Sequence, residues 1–309
     1  RLRPLAARQS QARGVRLYRA RCGKMSTLSE STSKRQRLPR NVWWKTGTAG
    51  AAGLLLSFML LPIVALIVTL NFSDFRAGIT HPSVWPALKL SLVTTTLSLV
   101  IVVLGGTPLA WLLSRHDNRL VQILETLVRL PAVLPPAVAG VALLLAFGRM
   151  GLLGGWLAQM GYSIPFTLAA VVMAATFVSA PFFLQAATSA FRSIDESQLT
   201  VARTLGASPA RVFIRIALPL AGPGLIAGAA MSWARALGEF GATLMFAGNL
   251  SGKTQTLTLA VYTTFESDMR AAQALSLVLV VVAFTLLYAL TVTTERRARK
   301  RNGSSGGSA

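Results

Sequence analysis

The sequence predicts an all-α integral membrane protein with six transmembrane helices and both termini in the cytoplasm. Three observations carry this expectation. Only 13% of the 309 residues are charged and 53% are hydrophobic, whereas a soluble domain carries roughly a quarter charged residues. The charges gather in short clusters between charge-free runs, as lipid-facing helices that satisfy their own backbone require. Lysine and arginine are also sorted by side. With the N-terminus inside, the cytoplasmic segments hold 25 of them, and the outer loops hold 4: Arg76, Arg149, Lys253 and Arg270. This is the bias of the positive-inside rule, and without the first 24 residues it is still 17 against 4.

A spanning helix needs about 20 mainly apolar residues. The uncharged stretch between Lys45 and Asp74 places the first span at 50–70, and that between Lys89 and Arg115 places the second at 90–113. Lys89 sits at an outer helix end, where its stem can lie along lipid while the amine reaches water. A shorter third span, 131–147, falls between Arg129 and Arg149. Gly154, Gly155, Gly161 and Pro165 break the next apolar stretch, so the fourth span is expected at 166–187. The fifth begins after Pro219 and Pro223 and runs to about Gly241, and the sixth covers 271–292. The chain thus divides into a basic tail (1–49), a first helix with its outer loop (50–86), a transmembrane domain (87–294) and a basic, then Gly/Ser-rich tail (295–309).

Several function classes are set aside by composition. The net charge of +21 would suit nucleic acid, but it lies in tails and beside apolar runs, as orientation signals do. Residues 1–24 hold eight Lys/Arg and no acid. Met25 is a natural start, which would leave those residues outside the native protein. The alternative is an Arg-rich, acid-poor transit peptide, which would direct the chain to a plastid envelope. The single cysteine, Cys22, forms no intramolecular disulfide or cysteine-based metal cluster. His81 and His116 lie outside the apolar runs, so neither haem nor another cofactor is implied, and no metal site is expected. An intramembrane enzyme is disfavoured because no HExxH motif or carboxylate dyad occurs.

The longest polar connection between spans reads SIDESQLTVARTLGASPARVFIRIALPL, residues 193–220. Leu199, Ala202 and Leu205 recur at helical spacing before Gly206 interrupts. A second short helix, 209–217, is expected to end at Leu218-Pro219. Such a helix–glycine–helix unit is either a rigid knob offered to a partner or a surface loop packed on its own membrane domain.

Within the fifth span, Arg235 and Glu239 are four apart and share one helix face. Charges at membrane depth are costly and usually pair or face a cavity. Counting from Gly222 at 1.5 Å per residue places Arg235 about 20 Å along the helix, towards the outside. Gly238 and Gly241 permit close approach of a neighbouring helix. With Phe240, these residues form a candidate gate or translocation region, in which Arg235 offers positive potential to an anion and Glu239 holds it in place. The alternative is a salt bridge that only pins the fold.

The knob carries a family resemblance. Importer permeases of the ATP-binding-cassette class have the pattern E-A-A, three residues, G, nine residues, I-x-L-P. Here Gly206 is followed by nine residues and then Ile216-Ala217-Leu218-Pro219, while Thr200-Val201-Ala202 stands in place of E-A-A. The run ARALGEFGATLMFAGN (234–249), the run Leu130-Pro131-Ala132-Val133-Leu134-Pro135-Pro136, and Phe147-Gly148-Arg149-Met150-Gly151 resemble molybdate and sulfate permeases, more closely the molybdate ones. The resemblance covers roughly 87–294.

The resemblance implies a type I importer permease of the inner cell membrane that moves an oxyanion, most closely molybdate, with sulfate, thiosulfate or tungstate as the alternatives. It implies that two copies form the pore and that an extracytoplasmic molybdate-binding protein delivers the anion. It also implies that cytoplasmic ATPase subunits dock at Ala202, Arg203, Leu205, Gly206, Ile216, Leu218 and Pro219. The chain has no GxxxxGK[ST] phosphate loop, so ATP hydrolysis belongs to those separate subunits. An ATP-independent secondary transporter is the remaining alternative, and it is weakened by the scarcity of carboxylates along the spans.

Overall fold

The computed structural model describes residues 42–80 and 82–304. The basic N-terminal tail up to residue 41, with Met25 and Cys22, His81 and the last five residues lie outside the described residues. Among the described residues every regular element is helical. In chain order these are α1 (Val42–Val68), α2 (Phe72–Ile79), α3 (Val84–Arg115), α4 (Arg119–Val133), α5 (Pro136–Phe147) and α6 (Gly154–Gln159). There follow α7 (Leu168–Arg192), α8 (Glu196–Thr204), α9 (Pro209–Val212), a π-helical turn (Phe213–Ala217) and α10 (Leu218–Leu237). The last are α11 (Gly241–Ala247), α12 (Leu257–Ser267) and α13 (Met269–Ser304).

Five helical stretches are long and apolar enough to cross a membrane: Gly47–Val68, Val84–Arg115, Leu168–Arg192, Pro209–Leu237 and Met269–Ala289. A sixth candidate is a bent pair, apolar enough together to form a broken span or a re-entrant loop. α4 and α5 meet at a bend of 115°, where a straight third span from Pro131 was expected. Pro135 and Pro136 cause the break. Neither offers an N–H to a preceding turn, and each pushes the residue before it towards extended backbone. Leu134 accordingly has ψ 137° and Pro135 has ψ 134°. Pro131, by contrast, sits inside α4.

The chain forms two compact units, divided after Ile63. In the first, α1 presents exposed apolar side chains such as Leu54, Phe58 and Leu61, the surface of a helix solvated by hydrocarbon rather than water. The second unit holds everything from Val64. Its core runs in three clusters. One gathers Phe183 and Phe191 of α7, Val102 and Ala110 of α3, Leu199 of α8 and Val212 of α9. A second joins α5, α7 and α11 around Ala139, Val178 and Phe246. The third joins the start of α3 to α12 and α13 through Val84, Leu257 and Leu275.

The seam between α7 and α10 depends on small residues. A methyl group on Gly224 or Gly228 would stand 2.4 or 2.8 Å from the Cβ of Ala190 or Ala186. In lipid no hydrophobic force drives helices together, and such close approach is what gains dispersion contact. Buried hydroxyls supply the polar ties. Ser232 donates to the Ser179 carbonyl at 3.0 Å, the Trp233 indole to Thr95 at 3.0 Å, and Thr176 to Ser98 at 3.1 Å.

Candidate functional site

The connection between α7 and α10 forms a folded knob. Its first helix, α8, is capped by Asp195, whose carboxylate accepts the Ser197 N–H at 3.0 Å. That hydrogen bond holds the Asp195 carboxyl below the usual carboxylate range. The cap is therefore complete above the ordinary carboxylate pKa and is lost as pH falls through the lowered one. Asp195→Ala should fray α8 and raise protease nicking between residues 195 and 204 at neutral pH. The wild-type chain should match it only under acid conditions.

α8 ends in a Schellman motif. The Gly206 N–H bonds the Arg203 carbonyl at 2.9 Å, and the Ala207 N–H bonds the Ala202 carbonyl at 3.1 Å. Gly206 takes φ +83°, the left-handed conformation that this closure needs. Ser208 then caps α9, accepting the Arg211 N–H at 3.4 Å, with Pro209 at the first helical position.

The expected stop at Leu218-Pro219 does not occur. The helix from Pro209 runs through to Leu237, and the strain of Pro219 is taken up as a wide turn instead. Pro219 has no N–H for the Arg215 carbonyl four residues back. The Leu218 N–H reaches the Phe213 carbonyl five residues back, the π-helical bond.

The knob residues predicted from sequence separate into two groups. Ala202, Ile216 and Leu218 are partly buried and pack on the core cluster of α3 and α7. Arg203, Leu205, Gly206 and Pro219 face outward, and Leu205 is 82% exposed. Val201 and Ile214, which sequence reasoning did not single out, add further exposed apolar surface. Leu199 and Val212 are fully buried and anchor the knob to the ends of α3 and α7.

At the other end of α10 the pairing of Arg235 and Glu239 is present, with Nη1 to Oε2 at 2.8 Å. The expected helical face is not its cause. α10 ends at Leu237, Gly238 closes it by donating to the Ala234 carbonyl at 3.3 Å, and Glu239 lies beyond the helix. The second carboxylate oxygen of Glu239 accepts the Ala242 N–H at 2.8 Å, tying down the first turn of α11. The Glu239 carbonyl accepts the Thr258 hydroxyl of α12 at 2.8 Å. Phe240 packs on Tyr262 with ring centroids 5.2 Å apart and tilted by 55°, and Gly241 packs close to Pro136. Glu239 is thus a buried junction of α10, α11 and α12. Arg235 is the more open partner, with 27% of its side chain exposed against 2% for Glu239.

One further basic position belongs both to the outer-loop charges and to the 147–151 run. Arg149 donates to Ser163 at 3.5 Å at the edge of a depression of about 350 Å³ lined by Phe147, Leu157, Tyr162 and Pro165. Among the described residues no group of three or more His, Cys, Asp or Glu could hold a metal ion.

Comparison with known proteins places this arrangement. Residues 106–300 match the family described as the binding-protein-dependent transport system inner membrane component. The molybdenum transport system permease protein ModB of Mycobacterium tuberculosis is 49% identical over 226 residues, covering 73% of this chain and 86% of that protein. ModB of Escherichia coli is 36% identical over 227 residues, 73% of this chain and 99% of that one. The sulfate transport system permease protein CysT of Escherichia coli is 32% identical over 246 residues, 78% and 89% of the two chains. A solved bacterial ABC transporter that imports alginate shares the fold at TM-score 0.69 and 16% identity, over 83% of this chain and 96% of that one. The inward-facing MetNI methionine ABC transporter does so at TM-score 0.53 and 20% identity, over 69% and 94%. These relatives uphold the resemblance read from the 202–219 and 234–249 segments. The chain is a multi-pass membrane protein that belongs to the family of binding-protein-dependent transport system inner membrane components, a transport subunit rather than an enzyme.

Proposed function

We propose that this chain is the membrane-spanning permease of an ATP-driven importer that carries molybdate across the inner membrane into the cytoplasm. The observation that supports the cargo is its 49% identity to a permease named for molybdenum transport, across 73% of the chain. Two copies form the pore, an extracytoplasmic molybdate-binding protein delivers the anion, and separate ATPase subunits seat on the knob. The excess of Lys and Arg on the knob side supports a cytoplasmic placement.

The geometry suits this work. Leu205, Val201 and Ile214 give the knob an exposed apolar surface flanked by Arg203, the mixture that a protein partner buries at the centre of an interface. The knob is anchored by Leu199 and Val212, so a push on it reaches α3 and α7. It is also continuous with α10. The helical stretch Pro209–Leu237 has 29 residues and extends about 40 Å at 1.5 Å per residue, which makes it a stiff link from the knob to Arg235. There the guanidinium supplies positive potential to a passing dianion. Glu239 fixes its position and keeps the net charge low enough for the anion to leave again.

The 32% identity to a sulfate permease favours sulfate as the second reading. Uptake of labelled molybdate in cells lacking their own molybdate importer, but supplied with this chain and its partner subunits, separates the two. Excess unlabelled molybdate or tungstate should suppress the signal, and excess sulfate should leave it intact. Suppression by sulfate at equal concentration would reassign the cargo.

A further inference from the structure

At the knob end, α3 and α7 are joined by two crossed contacts. Arg115, the last residue of α3, donates from Nη2 to the Phe191 carbonyl of α7 at 2.7 Å. Arg192, the last residue of α7, donates from Nη2 back to the Leu113 carbonyl of α3 at 3.4 Å. Both carbonyls lie in the final turn of their helices, where the i+4 donor is missing and the helix dipole is negative. Each arginine therefore caps the neighbouring helix rather than its own. Arg192 also forms an ion pair with Glu125 of α4, and Glu125, whose side chain is only 15% exposed, reaches Arg129 at 3.6 Å. The Arg115 guanidinium lies 4.4 Å from the centre of the Trp111 ring. Trp111 in turn packs on Phe191 at 5.3 Å and on Phe213 at 5.4 Å. Phe213 opens the π-helical turn that leads from the knob into α10.

We infer that Arg115 and Arg192 are positioning residues of the transport cycle. Their crossed guanidinium–carbonyl contacts, with Glu125 steadying Arg192, make the ends of α3, α4 and α7 one body with the base of the knob. This rests on the coupling role proposed above for the knob. The knob touches the spans through apolar contacts at Leu199, Val212 and Phe213, which are non-directional and allow sliding. Charge-assisted hydrogen bonds are directional and roughly twice as strong as neutral ones. They are what keeps the helix ends in register when the knob is displaced. Without them a push on the knob separates α3 from α7 instead of carrying both, and ATP is hydrolysed without transport.

The test uses the complete complex in proteoliposomes: permease, ATPase subunits and molybdate-loaded binding protein, with ATP hydrolysis and molybdate uptake measured together. Arg192→Glu and Glu125→Arg should each assemble and hydrolyse ATP near the wild-type rate, while uptake per ATP falls about fivefold through loss of an ion pair whose arginine is 44% exposed. The charge-swapped double variant should recover most of the uptake. Unchanged uptake per ATP in the single variants overturns the inference. So does loss of assembly, hydrolysis and uptake together, repaired together by the swap, because the contacts would then serve folding alone. Gly206→Trp, run alongside, separates the two layers of the argument. If it transports normally, the coupling role of the knob fails. If it loses uptake while the arginine and glutamate variants keep theirs, only the positioning role fails.

Discussion

Replacing Gly206 with tryptophan should abolish molybdate uptake while leaving the permease in the membrane at near-normal amount. The position has φ +83° and open space where a side chain would go. The penalty is therefore confined to the backbone, about 1–2 kcal/mol for an L-residue in the left-handed region. That is too little to unfold a domain stable by about 5–15 kcal/mol, yet it is enough to shift a local two-state equilibrium by a factor of about 5–30. The Schellman closure of α8 opens, and the outward faces of Leu205 and Arg203 turn away from a partner groove. The indole itself then projects from the outer face of the knob. Gly206→Asn is the control, since asparagine tolerates the left-handed conformation and should keep much of the uptake. Co-purification of the ATPase subunits, measured beside uptake, checks the cause. If Gly206→Trp retained both, the knob would have no coupling role.

Glu239→Ala should produce the largest loss of stability of any single change at the α10–α11 junction. It removes the partner of a largely buried arginine and the acceptor for the Ala242 N–H at once. Breaking a buried pair from one side costs about 3–5 kcal/mol, more than the pair contributes relative to an apolar substitute. The partial exposure of Arg235 places this case near the lower end. Thermal unfolding of the detergent-purified permease should show the single variant melting well below wild type. Arg235→Met/Glu239→Leu, which leaves no charge behind, should recover most of the difference. Uptake by that double variant then decides what Arg235 does. Restored stability without restored uptake assigns the guanidinium to the anion pathway, and full uptake makes the pair a pin for the fold.

The spans were legible because hydrocarbon imposes a rule that composition alone can express: about 20 residues without charge. The bend in the third apolar run escapes that rule, which counts residues and does not see direction. Its charge-free run straddles the Leu134–Pro135 bend, and the helix before the bend, α4, carries Glu125 and Arg129 and so falls outside a charge-free count. The start of the fifth span was misread for a related reason. A proline reads as a stop at Pro219, whereas a π-helical bond from Leu218 to Phe213 carries the helix past it. The knob was legible because Gly206 breaks a helical period, and its anchors were not, since Leu199 and Val212 declare their burial only against α3 and α7. The pairing of Arg235 with Glu239 followed from spacing, but the position of Glu239 beyond the helix end did not. Gly238 ends α10 at Leu237, about four residues before the end near Gly241 that the apolar pattern suggests. Contacts such as Thr176 to Ser98 leave no trace in a sequence, because a hydroxyl in an apolar run has no period of its own.

The seam where Gly224 and Gly228 meet Ala190 and Ala186 has a mechanical meaning. Interlocked leucines resist lengthwise displacement, because each side chain must climb from its socket before it can enter the next. Bare backbone against methyl groups is nearly smooth, and dispersion contact changes little as one surface glides over the other. The two rods on either side of the knob can therefore shear past one another by an ångström or two along this stretch with little friction. Motion is thus directed along their length, and its range is set by the hydrogen bond from Ser232 to the Ser179 carbonyl.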